Sequence, residues 1–525
     1  MTDLLVVIPA IKKSAVIPDQ LIKKIDGITL IQRAINTVKK LTISNNIFII
    51  TDSEEISLIS ERNGIDYFYN NKLSIDSENI IRITSDATKK LNQKNILIYR
   101  ANAPLVDESI LKEAYGIFLE DESKILTSVR KENKELLKKE NSLFVNIKKD
   151  EYYEEIKAFL IYSKKNKIDH NIKPFILNNE KSIEIENYQD WWICEKILQR
   201  RKIVFNVIGS IKIGMGHIYH SLALAHEITD HEVIFVCNEK DKIAVDKIAA
   251  MDYKVISTKN VEKTILELNP SIVINDVLNT KKDYIIKLKS NNIKIVNFED
   301  LGEGSKYADL VFNELYDTPQ LEGDNYCWGY KYLALRDEFY DAKPHDFIDD
   351  VKEIMITFGG TDQNNLTLIT LKTILESCKK REILINIVCG GAYKFKDELQ
   401  TYISQCNYSK INLTFASGVI SKIMEKTQLA ISSNGRTVYE LADMNIPSII
   451  VSHHARESTH SFANLEKGFI NLGVIDKDID LKINKSFDKI VEDLDYRKLL
   501  FMNIKRYSFR ENKQKVVNKI MELFK

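Results

Sequence analysis

The fold of the larger part of the chain is decided by Ile203-Val204-Phe205-Asn206-Val207, the turn Gly214-Met215-Gly216-His217 and the following Ser221-Leu222-Ala223-Leu224-Ala225. The short run of β-branched and aromatic residues predicts a buried strand, and the later apolar spacing predicts a helix. Glycines between a strand and a helix let the backbone approach a ligand, and the first turn of the helix offers N–H groups to an anion. This stretch therefore predicts a ligand-binding turn at the carboxyl end of a strand.

His217 is the candidate catalytic residue at this turn. An imidazole can act as a general base near neutral pH, and open α/β sheets bind their ligands at the carboxyl ends of strands. The alternative is a packing turn with an incidental surface histidine, because short glycine motifs are common. The residues of the turn alone leave both interpretations open.

Short runs rich in Ile and Val alternate with longer helical patterns along the chain, and the alternation begins anew near residues 203 and 351. Strands that alternate with helices predict parallel sheets covered by helices on both faces. A length of 525 residues corresponds to about three domains. We therefore predict an α/β protein with domains over residues 1–200, 203–347 and 348–525.

The composition argues against several classes of function. Lys and Arg total 75, as do Asp and Glu, so no basic excess indicates nucleic-acid binding. The six cysteines include no CxxC pair, so neither a zinc module nor a disulfide framework is predicted. No stretch approaches the roughly 20 apolar residues that span a bilayer, and no targeting segment is visible. We expect a cytoplasmic protein with no nucleic-acid partner and no membrane insertion.

A second glycine turn, Gly359-Gly360-Thr361-Asp362, follows a predicted strand and precedes a predicted helix. Two backbone N–H groups and a hydroxyl in such a turn can bind a phosphate. A tight turn in which Asp362 caps the next helix is the alternative interpretation.

A third turn, Ser433-Asn434-Gly435-Arg436, opens a predicted helix that contains Glu440. Asn434 and Gly435 leave room for the backbone to contact phosphates, and Glu440 can accept hydrogen bonds from both hydroxyls of a ribose. Alternatively, Glu440 only complements the helix dipole. The adjacent His453 and His454 have no third ligand nearby in the sequence, so no metal site is predicted.

Two consecutive α/β units with glycine-rich turns resemble the two-lobed GT-B fold of sugar-nucleotide enzymes, in which the donor lies mostly against the second lobe. Within residues 203–525 the motifs resemble the PseG/SpsG family, the UDP-sugar hydrolases of the pseudaminic-acid pathway and their spore-coat polysaccharide relatives. The matching stretches are 213–218, 275–276, 297–300, 308–313, 334–339, 359–366, Glu440 and 457–459. His220 stands where this family usually has Arg.

The resemblance implies removal of UDP from a UDP-2,4-diacetamido-2,4,6-trideoxyhexose in the biosynthesis of a nonulosonic acid of pseudaminic or legionaminic type. His217 would activate the attacking water, Gly359 and Gly360 would hold the diphosphate, and Glu440 would hold the uridine ribose. The other expected substrate- or UDP-binding residues are Gly214, Gly216, Asp276, Arg336, Thr361, Asp362, Asn365, Asn434, Gly435 and Glu457. No metal or other cofactor is expected for this reaction.

Residues 1–200 resemble the cytidylyltransferases that activate sialic acid and Kdo with CTP, including the SpsF type. The resemblance rests on the stretches 5–10, 51–56, 103–107 and 183–191. It implies a Rossmann-like nucleotidyltransferase (GT-A-like) domain, with a nucleotide site formed by Pro9, Ala10, Lys12, Lys13, Arg100 and Asn102. Mg²⁺ is expected only if this domain is active.

The N-terminal motifs depart from that family at its catalytic positions. Lys12 and Lys13 replace motif glycines, Asn102 replaces an Asp of the Kdo type, and Glu184 and Glu186 replace the closing Asp pair. We therefore expect this domain to be inactive, to bind a ligand without turnover, or to activate the nonulosonic acid with CTP. For the whole chain, the alternatives to a hydrolase are a GT-B glycosyltransferase of surface-polysaccharide biosynthesis, a bifunctional CMP-nonulosonate synthetase and a non-enzymatic sugar-nucleotide-binding protein.

Overall fold

The structure is a computed structural model. It describes residues 3–12, 16–42, 44–73, 80–122, 124–132, 137–140, 143–146, 151–165, 172–210, 214–415 and 419–524. The chain forms two compact units, Met1–Arg200 (unit 1) and Arg201–Lys525 (unit 2). In the ranges that the structure describes, no helix is both long enough and apolar enough to cross a membrane.

Unit 1 is an α/β unit built around one large sheet. Its strands are β1 Leu4–Ala10, β2 Lys24–Ile25, β3 Ile28–Thr29, β4 Ile47–Thr51, β5 Asp66–Tyr69, β6 Asn95–Tyr99, β7 Ile125–Glu132, β8 Leu137–Glu140, β9 Leu143–Asn146, β10 Tyr152–Ser163 and β11 Ile172–Leu177. Its helices are α1 Leu30–Lys39, α2 Glu54–Arg62, α3 Ile80–Ala87, α4 Glu108–Glu120 and α5 Tyr188–Gln199.

The described residues of unit 1 place seven strands in one sheet, in the order β11-β7-β10-β6-β1-β4-β5. Strands β4 and β6 run parallel to β1, and β5 runs parallel to β4. Strand β10 runs antiparallel to β6 and β7. Strands β4 and β6 are buried throughout, which explains their continuous apolar sequences. Thr29 caps α1, whose buried residues recur at helical spacing and face the sheet.

Unit 2 contains a longer alternation of strands and helices. Its strands are β12 Lys202–Val207, β13 Glu232–Asn238, β14 Val255–Thr258, β15 Ile272–Asp276, β16 Lys294–Phe298, β17 Leu310–Asn313, β18 Tyr326–Trp328, β19 Glu353–Thr357, β20 Leu384–Cys389, β21 Ile411–Phe415, β22 Leu429–Ser432, β23 Ser448–Ser452 and β24 Phe469–Val474. Its helices are α6 Gly216–His226, α7 Lys242–Ala249, α8 Val261–Leu268, α9 Lys282–Ser290, α10 Leu366–Arg381, α11 Lys396–Gln405, α12 Ser421–Met424, α13 Thr437–Asp443, α14 Ala455–Ser458, α15 Ile479–Glu492, α16 Leu494–Ile504 and α17 Asn512–Met521.

The strands of unit 2 form two parallel sheets. One has the order β14-β13-β12-β15-β16-β17-β18 and the other the order β21-β20-β19-β22-β23-β24. We call the first sheet and its helices α6–α9 the first lobe, and the second sheet and its helices α10–α16 the second lobe. In each sheet the strand order reverses beside the first strand, β12 or β19, which is where sheets of this kind bind ligands. The predicted α/β class is confirmed, and unit 2 has the two successive lobes that the sequence predicts.

The last helix, α17, returns to the first lobe. Val516, Val517 and Ile520 are buried in the same apolar core as Phe205 and Ile218. The prediction of a separate domain over 348–525 did not include this return. The reason is that an amphipathic pattern shows that a helix has a buried face but not which sheet covers it.

This packing predicts a large stability effect of Ile520→Ala, because Ile520 is fully buried in the core of the first lobe. The cavity that the change leaves should lower the stability of unit 2 by about 2–5 kcal/mol. Gln514→Ala, on the exposed side of the same helix, should change it by no more than about 0.5 kcal/mol. Thermal unfolding of the full chain measures both. Equal midpoints for the two variants would show that α17 does not belong to this core.

Candidate active site between the two lobes of unit 2

His217 lies in the first turn of α6, directly after the glycine turn that follows β12. Its Nδ1 atom is 2.6 Å from Oδ1 of Asp276, the last residue of the neighbouring strand β15. Both side chains are buried, with 5% of His217 and none of Asp276 exposed. The alternative of an incidental surface histidine therefore does not describe the structure.

Asp276 is shared between two histidines. Its second oxygen, Oδ2, lies 2.7 Å from Nδ1 of His220 and accepts a hydrogen bond of 3.1 Å from Ser221 Oγ. Burial disfavours the carboxylate, but His217 and His220 together hold the pKa of Asp276 well below its ordinary value. Burial likewise disfavours the imidazolium of His217, yet Asp276 raises the pKa of His217 above its ordinary value.

The contact with Asp276 fixes the tautomer of His217. A carboxylate accepts hydrogen bonds, so we assign a proton to Nδ1, which leaves Nε2 as the atom that can take a proton from water. This Nε2 atom faces Glu299, whose Oε2 lies 3.7 Å away. Glu299 has a φ of 50°, a left-handed conformation that is uncommon for a glutamate.

Glu299 belongs to a second cluster of charges that joins the lobes. Nη2 of Arg436, just before α13 in the second lobe, lies 2.9 Å from Oε1 of Glu314 and 3.4 Å from Oε1 of Glu299. Glu314 also faces His220, with 3.9 Å between Oε1 and Nε2. Both glutamates follow strands of the first lobe and are buried. This ion cluster therefore connects the first-lobe histidines to the second lobe.

The glycines of the predicted turns permit close approach of the backbone. A Cβ atom added to Gly360 would lie 3.2 Å from Met215 of the first lobe, and one added to Gly390 would lie 2.3 Å from the carbonyl oxygen of Gly360. A Cβ atom added to Gly216 would lie 3.4 Å from Nη1 of Arg436. The turns Gly214–Gly216 and Gly359–Gly360, predicted separately, are thus brought together between the lobes.

Asp362 caps the helix that follows its turn. Its two carboxylate oxygens accept hydrogen bonds of 2.8 Å from the backbone N–H groups of Leu366 and Thr367 in α10. Asn365 has a left-handed φ of 55° and accepts a 2.6 Å hydrogen bond from the hydroxyl of Tyr393. Asp362 and Asn365, both predicted binding residues, therefore stabilise the turn through contacts within the protein. Gly359, Gly360 and Thr361 form the part of the turn that precedes them.

Glu440 lies in the first turn of α13 and is 8% exposed. Its Oε1 accepts a 2.8 Å hydrogen bond from Nε of Arg336, whose guanidinium also lies 2.7 Å from Glu338 and 5.5 Å from the ring centre of Tyr219. Arg336 therefore connects the helix of His217 with Glu440. Its contacts hold Glu440 in place, and the contact of Arg336 with substrate stays a prediction.

Asn434 and Glu457 support the third turn. Asn434 Nδ2 donates hydrogen bonds to the carbonyl oxygens of Glu457 and His460, at 2.9 and 3.1 Å. The carboxylate of Glu457 accepts a 2.5 Å hydrogen bond from the N–H of His453 and lies beside Gly435. The histidines of this loop contact the protein itself, since His453 Nε2 is 3.4 Å from the carbonyl oxygen of Phe358.

Four residues of this site were not among the predicted site residues: His220, Glu299, Glu314 and Arg436. Glu299 and Glu314 stand directly after β16 and β17, so their position at the carboxyl ends of parallel strands was a usable signal. Arg436 belongs to the third predicted turn, but nothing local indicates that its side chain reaches the other lobe. Its role depends on the tertiary structure.

The predicted nucleotide-site residues of unit 1 lie at the ends of β1 and β6. Pro9 and Ala10 close β1, and Lys12 follows them, with its Nζ 3.3 Å from Asp19 and in an ion pair with Glu55. Lys13 lies outside the described residues. Arg100 follows β6, and its Nη1 is 3.4 Å from Oε1 of Glu184. Lys12 and Arg100, two of the cations that would meet CTP phosphates, are thus already paired with carboxylates.

The described residues of unit 1 do not fit a Mg²⁺ site of the cytidylyltransferase type. Such a site needs ionised carboxylates as oxygen ligands, but Asn102 offers an amide. Burial raises the pKa of Glu184 to about 7, which disfavours its charged form. Among the residues with described positions, no group of three or more His, Cys, Asp or Glu side chains could hold a metal ion.

Comparison with known proteins supports both resemblances. The model of the family described as cytidylyltransferase matches residues 5–234. This range covers the sheet of unit 1 and continues to the beginning of β13. The resemblance of the N-terminal region to cytidylyltransferases is therefore confirmed.

Curated relatives extend the comparison. An uncharacterized protein of Methanocaldococcus jannaschii is 32% identical over 48% of this chain and 55% of its own length. A Helicobacter pylori protein named pseudaminic acid cytidylyltransferase and UDP-2,4-diacetamido-2,4,6-trideoxy-beta-L-altropyranose hydrolase is 27% identical over 41% of this chain and 38% of its own. The Campylobacter jejuni hydrolase with the second of these names is 27% identical over 46% of this chain and 87% of its own. The chain thus spans about half or less of the first two relatives.

The geometry predicts that Asp276→Asn destabilises unit 2. Removing one partner of a buried charged pair costs about 3 kcal/mol. Because the pKa of Asp276 is lowered and that of His217 is raised, the loss should be largest between about pH 4 and 6.5, where both groups are charged in the wild type. Below about pH 4 the loss should shrink as Asp276 takes up a proton.

Thermal unfolding midpoints of the full chain over a pH series measure this effect. Asp324→Asn, which removes an exposed carboxylate of the same lobe, is the matched control and should unfold like the wild type. A midpoint for Asp276→Asn that equals the wild-type midpoint at every pH would contradict the assignment of Asp276 as a buried, charged partner of the histidines.

Proposed function

We propose that the chain hydrolyses a UDP-2,4-diacetamido-2,4,6-trideoxyhexose and releases UDP, in the biosynthesis of a nonulosonic acid of pseudaminic or legionaminic type. The observation that carries the proposal is the buried pair of His217 and Asp276, 2.6 Å apart. His217 is in the first turn of α6, Asp276 ends β15, and the glycine turn of the other lobe is next to them. The names of the Helicobacter pylori and Campylobacter jejuni relatives support the choice of reaction and substrate class.

In the proposed reaction, His217 Nε2 takes a proton from water while the water oxygen bonds to the anomeric carbon. The bond from that carbon to the phosphate oxygen breaks, and its electron pair leaves with UDP. Asp276 keeps the imidazole oriented and stabilises the imidazolium that forms, since its carboxylate accepts the hydrogen bond from Nδ1. The products are the free sugar and UDP, and the proton on His217 returns to solvent.

UDP would bind mainly against the second lobe. The N–H groups of Leu366 and Thr367 at the start of α10 are already bonded to Asp362. The diphosphate would therefore accept hydrogen bonds from the backbone N–H groups of Gly359 and Gly360 instead. The ribose hydroxyls would donate to Glu440, which Arg336 holds by one oxygen. We expect the reaction to need no metal ion, since backbone groups would meet the charge of the leaving group.

His217→Ala tests the proposal most directly. We expect full-length wild-type protein to release UDP from UDP-2,4-diacetamido-2,4,6-trideoxyhexoses without an acceptor and with EDTA present. Loss of the general base should lower kcat by about 10²–10⁴-fold. His226→Ala, at the exposed end of the same helix, is the control and should retain wild-type activity. UDP release that requires an added acceptor sugar would instead identify a glycosyltransferase.

The family match of residues 5–234 favours a second candidate function, transfer of CMP from CTP to a nonulosonic acid by unit 1. The contacts of Lys12 and Arg100 with carboxylates oppose it. We therefore expect no pyrophosphate release from CTP, Mg²⁺ and a nonulosonic acid by protein that actively releases UDP. Pyrophosphate release that Arg100→Ala abolishes would establish the second activity and a bifunctional enzyme.

A further inference from the structure

Arg436 is a second-lobe residue whose side chain reaches the first-lobe charges around His217. It bonds Glu314 at 2.9 Å and lies 3.4 Å from Glu299, and only 16% of its side chain is exposed. Gly216, the residue before His217, leaves the space beside the guanidinium, because a Cβ atom there would lie 3.4 Å from Nη1. Contact between this cation and the catalytic turn therefore requires the two lobes to be close together.

The site contains more carboxylates than fixed cations. Asp276 is the last residue of β15, whereas Glu299 follows β16 and Glu314 follows β17. All three side chains are buried. The groups that face these carboxylates are His217 and His220 on α6, Arg436 before α13, and His460 after α14. Arg456 donates a hydrogen bond of 3.1 Å to the backbone oxygen of Glu299. Arg436 is the guanidinium that reaches the carboxylates of both Glu299 and Glu314.

Glu299 opposes the role of His217 as a base. Its Oε2 lies 3.7 Å from Nε2, and in a buried site a carboxylate at this distance strongly favours a proton on the imidazole. Burial lowers the pKa of His217 and Asp276 raises it; Glu299 adds to the increase, and Arg436 opposes it. A cation that pairs with Glu299 therefore weakens the hold of Glu299 on the Nε2 proton.

We propose that Arg436 is a positioning residue that frees Nε2 of His217 for base catalysis by neutralising Glu299 and Glu314 when the two lobes of unit 2 close. This rests on the proposed function, in which His217 accepts the proton of water. When the lobes separate, Glu299 loses this partner and holds the proton on His217. The base is then available only in the closed state, in which second-lobe Glu440 and the Gly359–Gly360 turn are also next to the first lobe.

Several buried polar atoms of the cluster have no hydrogen bond, which agrees with this role. Glu299 Oε1, Glu314 Oε2, His220 Nε2 and Arg436 Nε are buried and have no hydrogen-bond partner among the described residues. A fully hydrogen-bonded network would hold its charges in one arrangement. Here one guanidinium reaches the carboxylates of both Glu299 and Glu314, so removing it should change the protonation of its neighbours rather than only loosen their packing.

Titration of His217 in the full-length protein tests the proposal without any substrate. The histidine rings are labelled with ¹³C, the His217 signal is identified by its loss in His217→Asn, and its midpoint is followed by NMR. Arg436→Gln should raise the midpoint, Arg436→Lys should leave it near the wild-type value, and Glu299→Gln should lower it. The double change Glu299→Gln with Arg436→Gln should return the His217 midpoint toward the wild-type value. This variant keeps the test valid if Arg436→Gln folds poorly.

The pH dependence of UDP release gives a second readout. Arg436→Gln should move the acidic limb of the kcat profile to higher pH, so that kcat at pH 6 falls by roughly tenfold while the plateau at high pH is retained. An unchanged or lowered His217 midpoint in Arg436→Gln, or an equal loss of kcat at every pH, would overturn the proposal. Absence of UDP release by the wild type would contradict the proposed function, and the NMR midpoints would still decide the role of Arg436.

Discussion

The carboxylate of Asp276 is the interaction on which the site depends. It is fully buried at the end of a central strand and is balanced by His217, His220 and the hydroxyl of Ser221, all on α6. Without these partners a buried carboxylate would be very costly, so the strand and the helix must keep a fixed register. The same contact orients His217 and selects which of its nitrogens faces Glu299. Fold stability and candidate chemistry therefore rest on the same atoms.

The second constraint is the close approach of the two lobes. Gly360 leaves room for Met215, and Gly390 leaves room for the backbone of Gly360. Across the same region, Arg436 and Arg456 of the second lobe contact Glu299 of the first. Because Arg436 meets the buried carboxylates of Glu299 and Glu314, and Arg456 bonds the backbone of Glu299, the electrostatics favour a closed arrangement. Closure and the protonation of the first-lobe histidine are therefore coupled through charge.

Unit 1 resembles the cytidylyltransferases in sequence, but the charges at its predicted nucleotide site are paired within the protein. Lys12 and Arg100 both have carboxylate partners, and the burial of Glu184 raises its pKa to about 7. Unit 2 differs, because its carboxylates contact histidines and an arginine at the carboxyl ends of its strands. The contrast explains why the proposed hydrolysis is assigned to unit 2, although the family model covers unit 1.

The sequence by itself determined the α/β class, the successive α/β units and the turn that carries His217, since these follow from local apolar periodicity and from glycines at strand ends. It also predicted Asp276 and Glu440 as site residues and offered, as one interpretation, that Asp362 caps α10, but it did not predict that Arg336 holds Glu440. Only the tertiary structure decided that His220 shares Asp276, that Arg436 reaches Glu299 and Glu314, and that α17 packs on the first lobe. The physical reason is that these contacts join residues far apart in the chain, whose distances depend on how the two sheets pack and not on any local pattern.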